Sequence, residues 1–174
     1  MANTFELIAS STLGSAQASI DFSSIPSTYT DLQIVASLRV SSTGEVTPPI
    51  QRLELLINNT NTGGLYSIKM LYGNGSAAAS AGGAGASRDF YDGAAVASGA
   101  TANTFSNVSF YFPNYAGSAN KSFSIDSVTE NNGTGADASF TAGLWASTSA
   151  INQLTLKPYD GSNFVQYSTA YLYG

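Results

Sequence analysis

The feature that most constrains this chain is a hydrophobic period of two, recurring from one end to the other. Leu32, Ile34, Ala36, Leu38 and Val40 alternate with mostly polar neighbours. So do Leu53, Leu55 and Ile57, then Val108, Phe110 and Phe112, and later Phe140, Ala142 and Leu144. Successive side chains of a strand point to opposite faces, so this alternation sets one face on a core and the other toward solvent. Further strands are expected over residues 4–10, 16–22, 65–72, 122–130 and 151–157. No segment sustains a 3.6-residue period of good helix formers for more than a turn or two. Parallel strands need crossover connections that nothing here supplies, so the sheets are antiparallel.

Turn signals separate these runs at short intervals: Leu13-Gly14-Ser15, Ile25-Pro26-Ser27, Thr47-Pro48-Pro49, Asn61-Thr62-Gly63-Gly64, Asn131-Asn132-Gly133 and Asp160-Gly161. About ten short strands with this spacing predict an all-β fold, an antiparallel β-sandwich of jelly-roll type. A chain of 174 residues fits one such domain, 1–174. One stretch breaks the pattern. Residues 76–87 read SAAASAGGAGAS, without a bulky side chain, and Gly82, Gly83 and Gly85 each disfavour a helix by roughly 1 kcal/mol. The expectation is a long small-residue loop that extends over 76–104 through residues 93–102.

Charged residues make up 10% of the chain, against about 25% in a typical soluble domain. The surface is therefore built from Ser, Thr, Asn, Gln and Gly. Net charge is −5, and Arg39, Arg52, Lys69, Arg88, Lys121 and Lys157 are scattered singly. Nucleic-acid binding needs clustered cations, so it is set aside. With no cysteine and no histidine, the chain has no thiol nucleophile, no His-based triad and no HExxH zinc site. No apolar stretch approaches the ~20 residues that span a bilayer, and Met1–Glu6 lacks the basic start of a signal peptide. No membrane insertion and no classical export are expected.

The remaining constellations are weak. Gly73-Asn-Gly75 and Gly82-Gly-Ala-Gly85 lack the Lys-Ser/Thr and the strand–helix setting of a phosphate loop. Ser118-Ala-Asn-Lys121 has the spacing of a Ser-x-x-Lys nucleophile but not the helix or partner motifs. Asp126 and Glu130 share a strand face about 13 Å apart, too far for a glycosidase pair. A pair from two strands, such as Asp21 with Glu54, stays open. Asn131–Asp137, Asp89, Asp92 and Asp160 offer oxygen ligands that fit no EF-hand. No cofactor, metal or catalytic residue is expected.

Aromatics supply the candidate contact residues, since exposed Tyr and Trp serve sugar stacking and protein interfaces. Trp145 adjoins Leu144, read as core-facing, and so falls on the opposite face, either at an interface or ligand contact or in a second buried layer. Tyr111 and Tyr115 flank a turn. Tyr167, Tyr171 and Tyr173 fall on one side of the last strand, where packing into the core is the plainer reading.

Four stretches carry a family likeness: FELIASSTLGSAQASIDFSSIPSTYTDLQIVASLRV at 5–40, LYGNGSAAASA at 71–81, NYAGSANKSFSIDS at 114–127, and GLWASTSAINQLTLKPYDGSNFVQYSTAYLYG at 143–174. The chain resembles a family of small virion proteins of tailed bacteriophages, many of them marine. The resemblance implies a structural or adhesive part of the particle surface, made in the host cytoplasm, and it carries no catalytic residue. Two roles follow from it. One is a capsid decoration (cement) protein, an oligomer and most simply a trimer, that bridges coat subunits. The other is a tail-fibre or appendage module that adheres to host glycans. A polysaccharide depolymerase is the third reading, supported only by unassigned carboxylates.

Overall fold

The computed structural model describes residues 5–44, 49–62, 64–84, 93–132 and 136–174. The described residues form twelve strands and no helix: β1 (Leu7–Thr12), β2 (Ile20–Ser23), β3 (Leu32–Leu38), β4 (Ile50–Ile57), β5 (Tyr66–Gly73), β6 (Ala78–Ala84), β7 (Ala94–Val96), β8 (Ser106–Phe112), β9 (Lys121–Val128), β10 (Ala138–Trp145), β11 (Gln153–Pro158) and β12 (Thr169–Tyr173). Two antiparallel sheets result. The larger has the order β1-β12-β3-β8-β9-β10-β5-β6, the smaller β2-β11-β4-β7. If the β8–β9 hairpin is set aside, the chain runs small–large–small–large–large–small–large–small from β2 to β11, the alternation of a jelly roll. The hairpin inserts between β3 and β10, and β12 with β1 extends the same sheet beyond β3. Both additions widen one sheet only.

The core lies between the sheets, as the period of two requires. β3, β8 and β9 bury every second residue, among them Leu32, Ile34, Leu38, Phe110, Phe112 and Ile125. From the small sheet, Phe22, Leu53, Leu55, Leu154 and Leu156 meet them. Each such side chain contributes roughly 1.5–3 kcal/mol of transfer free energy. β4 is buried along its whole length. It ends in a two-residue turn where Asn58 (φ 50°) and Asn59 (φ 54°) both take the left-handed conformation that a tight hairpin needs.

The two sheets are sewn together along β7. The amides of Ala94 and Val96 point away from β4 and donate to the hydroxyls of Ser127 (3.1 Å) and Ser106 (2.6 Å) on the large sheet, and the Val96 carbonyl accepts from Val40 N–H (3.0 Å). Next to this seam, the buried Arg39 guanidinium donates to the carbonyls of Ser98, Ala100, Thr101 and Thr104 and to the Thr104 hydroxyl. No carboxylate faces it in these contacts; burial lowers its pKa. At the far edge of the large sheet, the amides and carbonyls of Glu6 and Gly174 bond reciprocally, at 2.8 and 3.0 Å.

Three expectations are corrected here. The stretch 76–87 is not one loop: Ala78–Ala84 forms β6, paired with β5 from Gly73↔Ala78 to Ser67↔Ala84. Its small residues hide the period of two, but they suit the position, because a Cβ on Gly82 would lie 2.5 Å from the Ile68 carbonyl oxygen and 2.7 Å from Lys69 Cδ. Within 93–102, Ala94–Val96 is β7; residues 85–92, with Arg88, Asp89 and Asp92, lie outside the described residues. In β10 the faces are inverted. Trp145 is in the core, whereas Phe140 and Leu144 point outward. The outward face carries Ala138, Phe140, Ala142 and Leu144 and the inward one Ser139, Thr141, Gly143 and Trp145, so hydrophobicity alone points the wrong way; the choice falls to Gly143, which lies under the Phe123 ring where a Cβ would come within 2.1 Å. Finally, Ala170 and Leu172 face the core and Tyr171 and Tyr173 the other side, while Tyr167 (φ 70°) lies on the turn before β12 begins at Thr169.

Candidate functional site

The widened sheet has an outer face with no second layer among the described residues. Register fixes what it displays. One line of directly opposed residues crosses all eight strands: Ser80, Leu71, Phe140, Asp126, Ser109, Val35, Tyr171 and Ser10. The next line carries Gly82, Lys69, Ala142, Ser124, Tyr111, Gln33, Tyr173 and, after a bulge, Leu7. The line on the other side runs from Ala78 through Ala138, Val128, Asn107 and Ser37 to Thr169 and Thr12. Lys69 and Asp126 are the only charged side chains in the three lines. Strands ~4.8 Å apart and lines ~6.8 Å apart give a face of roughly 38 by 20 Å, on the order of 800 Å².

Eight of the eleven exposed large hydrophobic residues among those described lie on this face, and they divide by chemistry. Over β5, β10 and β9 stand Leu71 (64% exposed), Phe140 (53%), Val128 (48%) and Leu144. Leu71 and Phe140 are direct cross-strand partners. A hollow of about 440 Å³ lies among Leu71, Ala138, Val128 and Phe140, and one of about 520 Å³ adjoins it beside Ala81 and Ala142. Over β8, β3 and β12 the face turns to tyrosine, amide and hydroxyl. Tyr111, Gln33 and Tyr173 are neighbours in register, and Gln33 donates to Ser109. The Tyr111 hydroxyl donates to Asp31 (2.7 Å), whose other oxygen accepts from Asn114 N–H (2.8 Å). That hydrogen bond, with some burial, raises the Tyr111 pKa and holds the ring in place. A hollow of about 220 Å³ lies among Val35, Ser37, Phe105, Asn107, Thr169 and Tyr171.

Of the six aromatic candidates, the structure brings Tyr111, Tyr171 and Tyr173 together on this face. Tyr167 is exposed on the turn before β12. Tyr115 and Trp145 are corrected: both are core residues. The Tyr115 hydroxyl donates to the Pro26 carbonyl and burial raises its pKa, while Trp145 packs beside Tyr66 with its indole N–H unpaired. Leu71, Val128, Phe140 and Leu144 escaped the sequence reading. In β9, the burial of Phe123 and Ile125 on one face already implied an outward Val128.

The catalytic constellations do not assemble. Lys121 is buried and its ammonium donates to the carbonyls of Gly117 and Ala119, so it ties the loop and does not address Ser118. Burial lowers its pKa. Asp21 accepts from the Thr155 and Ser19 hydroxyls, and Glu54 pairs with Lys157 at 2.7 Å across the intervening ladder. Asp126 and Glu130 both point outward. Among the described residues no group of three His, Cys, Asp or Glu side chains is placed to hold a metal ion. Gly133, Thr134 and Gly135 of the Asn131–Asp137 candidate lie outside the described residues. Asp137 itself pairs across the sandwich with Arg52 at 3.6 Å, and the Arg52 guanidinium stands 5.7 Å from the Tyr72 ring centroid.

Fold and face together define a jelly-roll-type β-sandwich domain whose widened sheet presents a broad, nearly uncharged surface. No protein-family model, curated protein or solved structure matches this chain.

Proposed function

We propose that the protein is a non-enzymatic structural component of a bacteriophage particle, a decoration protein that docks on coat subunits. The observation that carries this reading is the aliphatic half of the outer face. Leu71, Phe140, Val128 and Leu144 are held in fixed register by three adjacent strands, and the first three border hollows that a partner's side chains would fill. Patches of this kind mark interaction sites. The whole face is on the order of 800 Å², so its aliphatic half offers roughly 400 Å², about half of one partner's share of a standard protein interface. With so few charges, docking would be driven by apolar burial and would persist at high salt.

Immunogold labelling of intact particles, viewed by negative-stain electron microscopy, tests the location. Gold over the head supports decoration. Gold at the tail replaces it with the appendage role, and particles without gold remove both. Binding to preassembled shells then tests the face. The Leu71→Ser/Phe140→Ser protein should fail to bind and to raise shell melting, whereas unchanged binding would rule this surface out.

A further inference from the structure

The tyrosine half of the outer face is chemically unlike the aliphatic half, and we infer that it is a binding site for neutral glycans. The site centres on the 220 Å³ hollow, whose walls are Val35, Phe105 and Tyr171 and whose polar groups are Ser37, Asn107 and Thr169. A pyranose ring has an apolar C–H face and a rim of hydroxyls. It needs an aromatic or aliphatic wall to pack on, with a few neutral donors and acceptors at the edge. Those are the two kinds of group present, and no charged side chain lines the hollow.

Extension beyond one ring is also provided for. Tyr173 lies two residues along β12 from Tyr171, on the same face. Tyr111 lies two strands across from Tyr173, with Gln33 between them, so their backbone positions are about 10 Å apart. Each ring would sit under a different unit of an extended oligosaccharide, with the Gln33 amide between. The Tyr111 ring is already fixed by its bond to Asp31, which lowers the ordering cost of binding.

The charge pattern selects among occupants. An anionic glycan or a phosphate would need a free cation, but Arg39, two residues beyond Ser37, is buried and donates to carbonyls of the 98–104 turn and the Thr104 hydroxyl, and the Lys69 position is four strands from β3 in the sheet order. Asp31 and Asp126, the acids nearest these strands, would repel one. A protein partner is better served by the aliphatic half. At a twist of ~20–25° per strand, the four steps from β10 to β12 turn the face by roughly 90°, so the two halves can be occupied at once.

The test is a titration of the ¹⁵N-labelled protein with cellohexaose, chitohexaose and mannohexaose, with a heparin hexasaccharide as the anionic control, read by amide chemical shifts. At least one neutral hexasaccharide should shift the amides of Val35, Ser37, Asn107, Thr169 and Tyr171 in a saturable way, and heparin should not. Tyr171→Ala should weaken binding about tenfold, while Phe140→Ser leaves it unchanged. If Tyr171→Ala misfolds, Asn107→Ala, on the exposed edge of the hollow, gives the same reading. The inference is overturned if none of the three neutral sugars shifts these amides at millimolar concentration, if the shifts map elsewhere, or if both hollow variants bind like the parent. Because Phe140 belongs to the other half, loss of particle docking and loss of sugar binding are separately visible.

Discussion

Replacing Arg39 by Met is the sharpest test of how the seam beside β7 is held. The methionine keeps most of the aliphatic stem and removes only the guanidinium, which makes five hydrogen bonds of 2.8–3.3 Å to the turn at 98–104. Bonds from a charged donor contribute about 1.5–3 kcal/mol each in favourable cases. Ser98 and Thr101 are exposed, so water can replace some of them after substitution. Counting the two shortest, to Thr101 (2.8 Å) and Thr104 (3.0 Å), at the low end gives a loss of about 3 kcal/mol. For a chain of this length that corresponds to a Tm lower by about 6–12 °C. Arg39→Lys should recover less than half of it, since one ammonium cannot reach carbonyls on both sides of the turn. The assay is thermal unfolding by circular dichroism, repeated at low and high salt. Because the partners are carbonyls and a hydroxyl, the loss should not change with salt. A Tm within 2 °C of the parent, Arg39→Lys equal to the parent, or a loss that fades as salt rises would refute this account (2 °C being under ~1 kcal/mol).

Three further outcomes follow from buried groups. Ser106→Ala leaves the Val96 amide without its acceptor and should cost about 1–3 kcal/mol in urea unfolding, with accelerated amide exchange confined to β7 and its neighbours. Gly143→Ala drives a methyl into the Phe123 ring and should destabilise by about 1–3 kcal/mol, and Phe123→Leu in the same chain should return part of it. Burial raises the Asp137 pKa above 3.8, against the opposing pull of Arg52. The folded state therefore holds that proton more tightly, and the resulting stability is present below pH 3.8 and lost as pH climbs through the raised value. Parent and Asp137→Asn melted side by side should show the parent's relative stability falling from acid toward neutral pH, and a rising difference would show the sign to be wrong.

How much of this was legible depended on whether side-chain size marked the faces. In β3 and β8 large apolar residues alternate with Gln, Ser and Asn, and the sandwich follows from them directly. β6 has nothing larger than serine in AASAGGA, so its strand state depends on β5 offering a complete ladder, which is a tertiary fact. β10 turns its more apolar residues outward and Ser139, Thr141, Gly143 and Trp145 inward, and its orientation turns on the fit of Gly143 beneath Phe123, two residues that meet only after β9 and β10 pair. The site was missed for a related reason. A pattern of alternation says that two faces differ, but where the outer face of a sheet is itself apolar it does not say which is covered. Tyr111 was legible as a contact residue because its neighbours Phe110 and Phe112 are unmistakably core.

The reciprocal bonds between Glu6 and Gly174 bear on the mechanics of the domain. Chain passing beyond either residue enters and leaves at one corner, on the edge strand farthest from β6. Tension applied through both sides would act on the β1–β12 ladder from that corner and open its bonds one after another, beginning at Leu7↔Tyr173, instead of shearing them together. The domain would then yield at its rim under modest force while β3, β8 and the sewn seam at β7 stay closed. A part anchored to a particle through its sheet face, and pulled at this corner, would pay out a short length of chain before the fold itself was at risk.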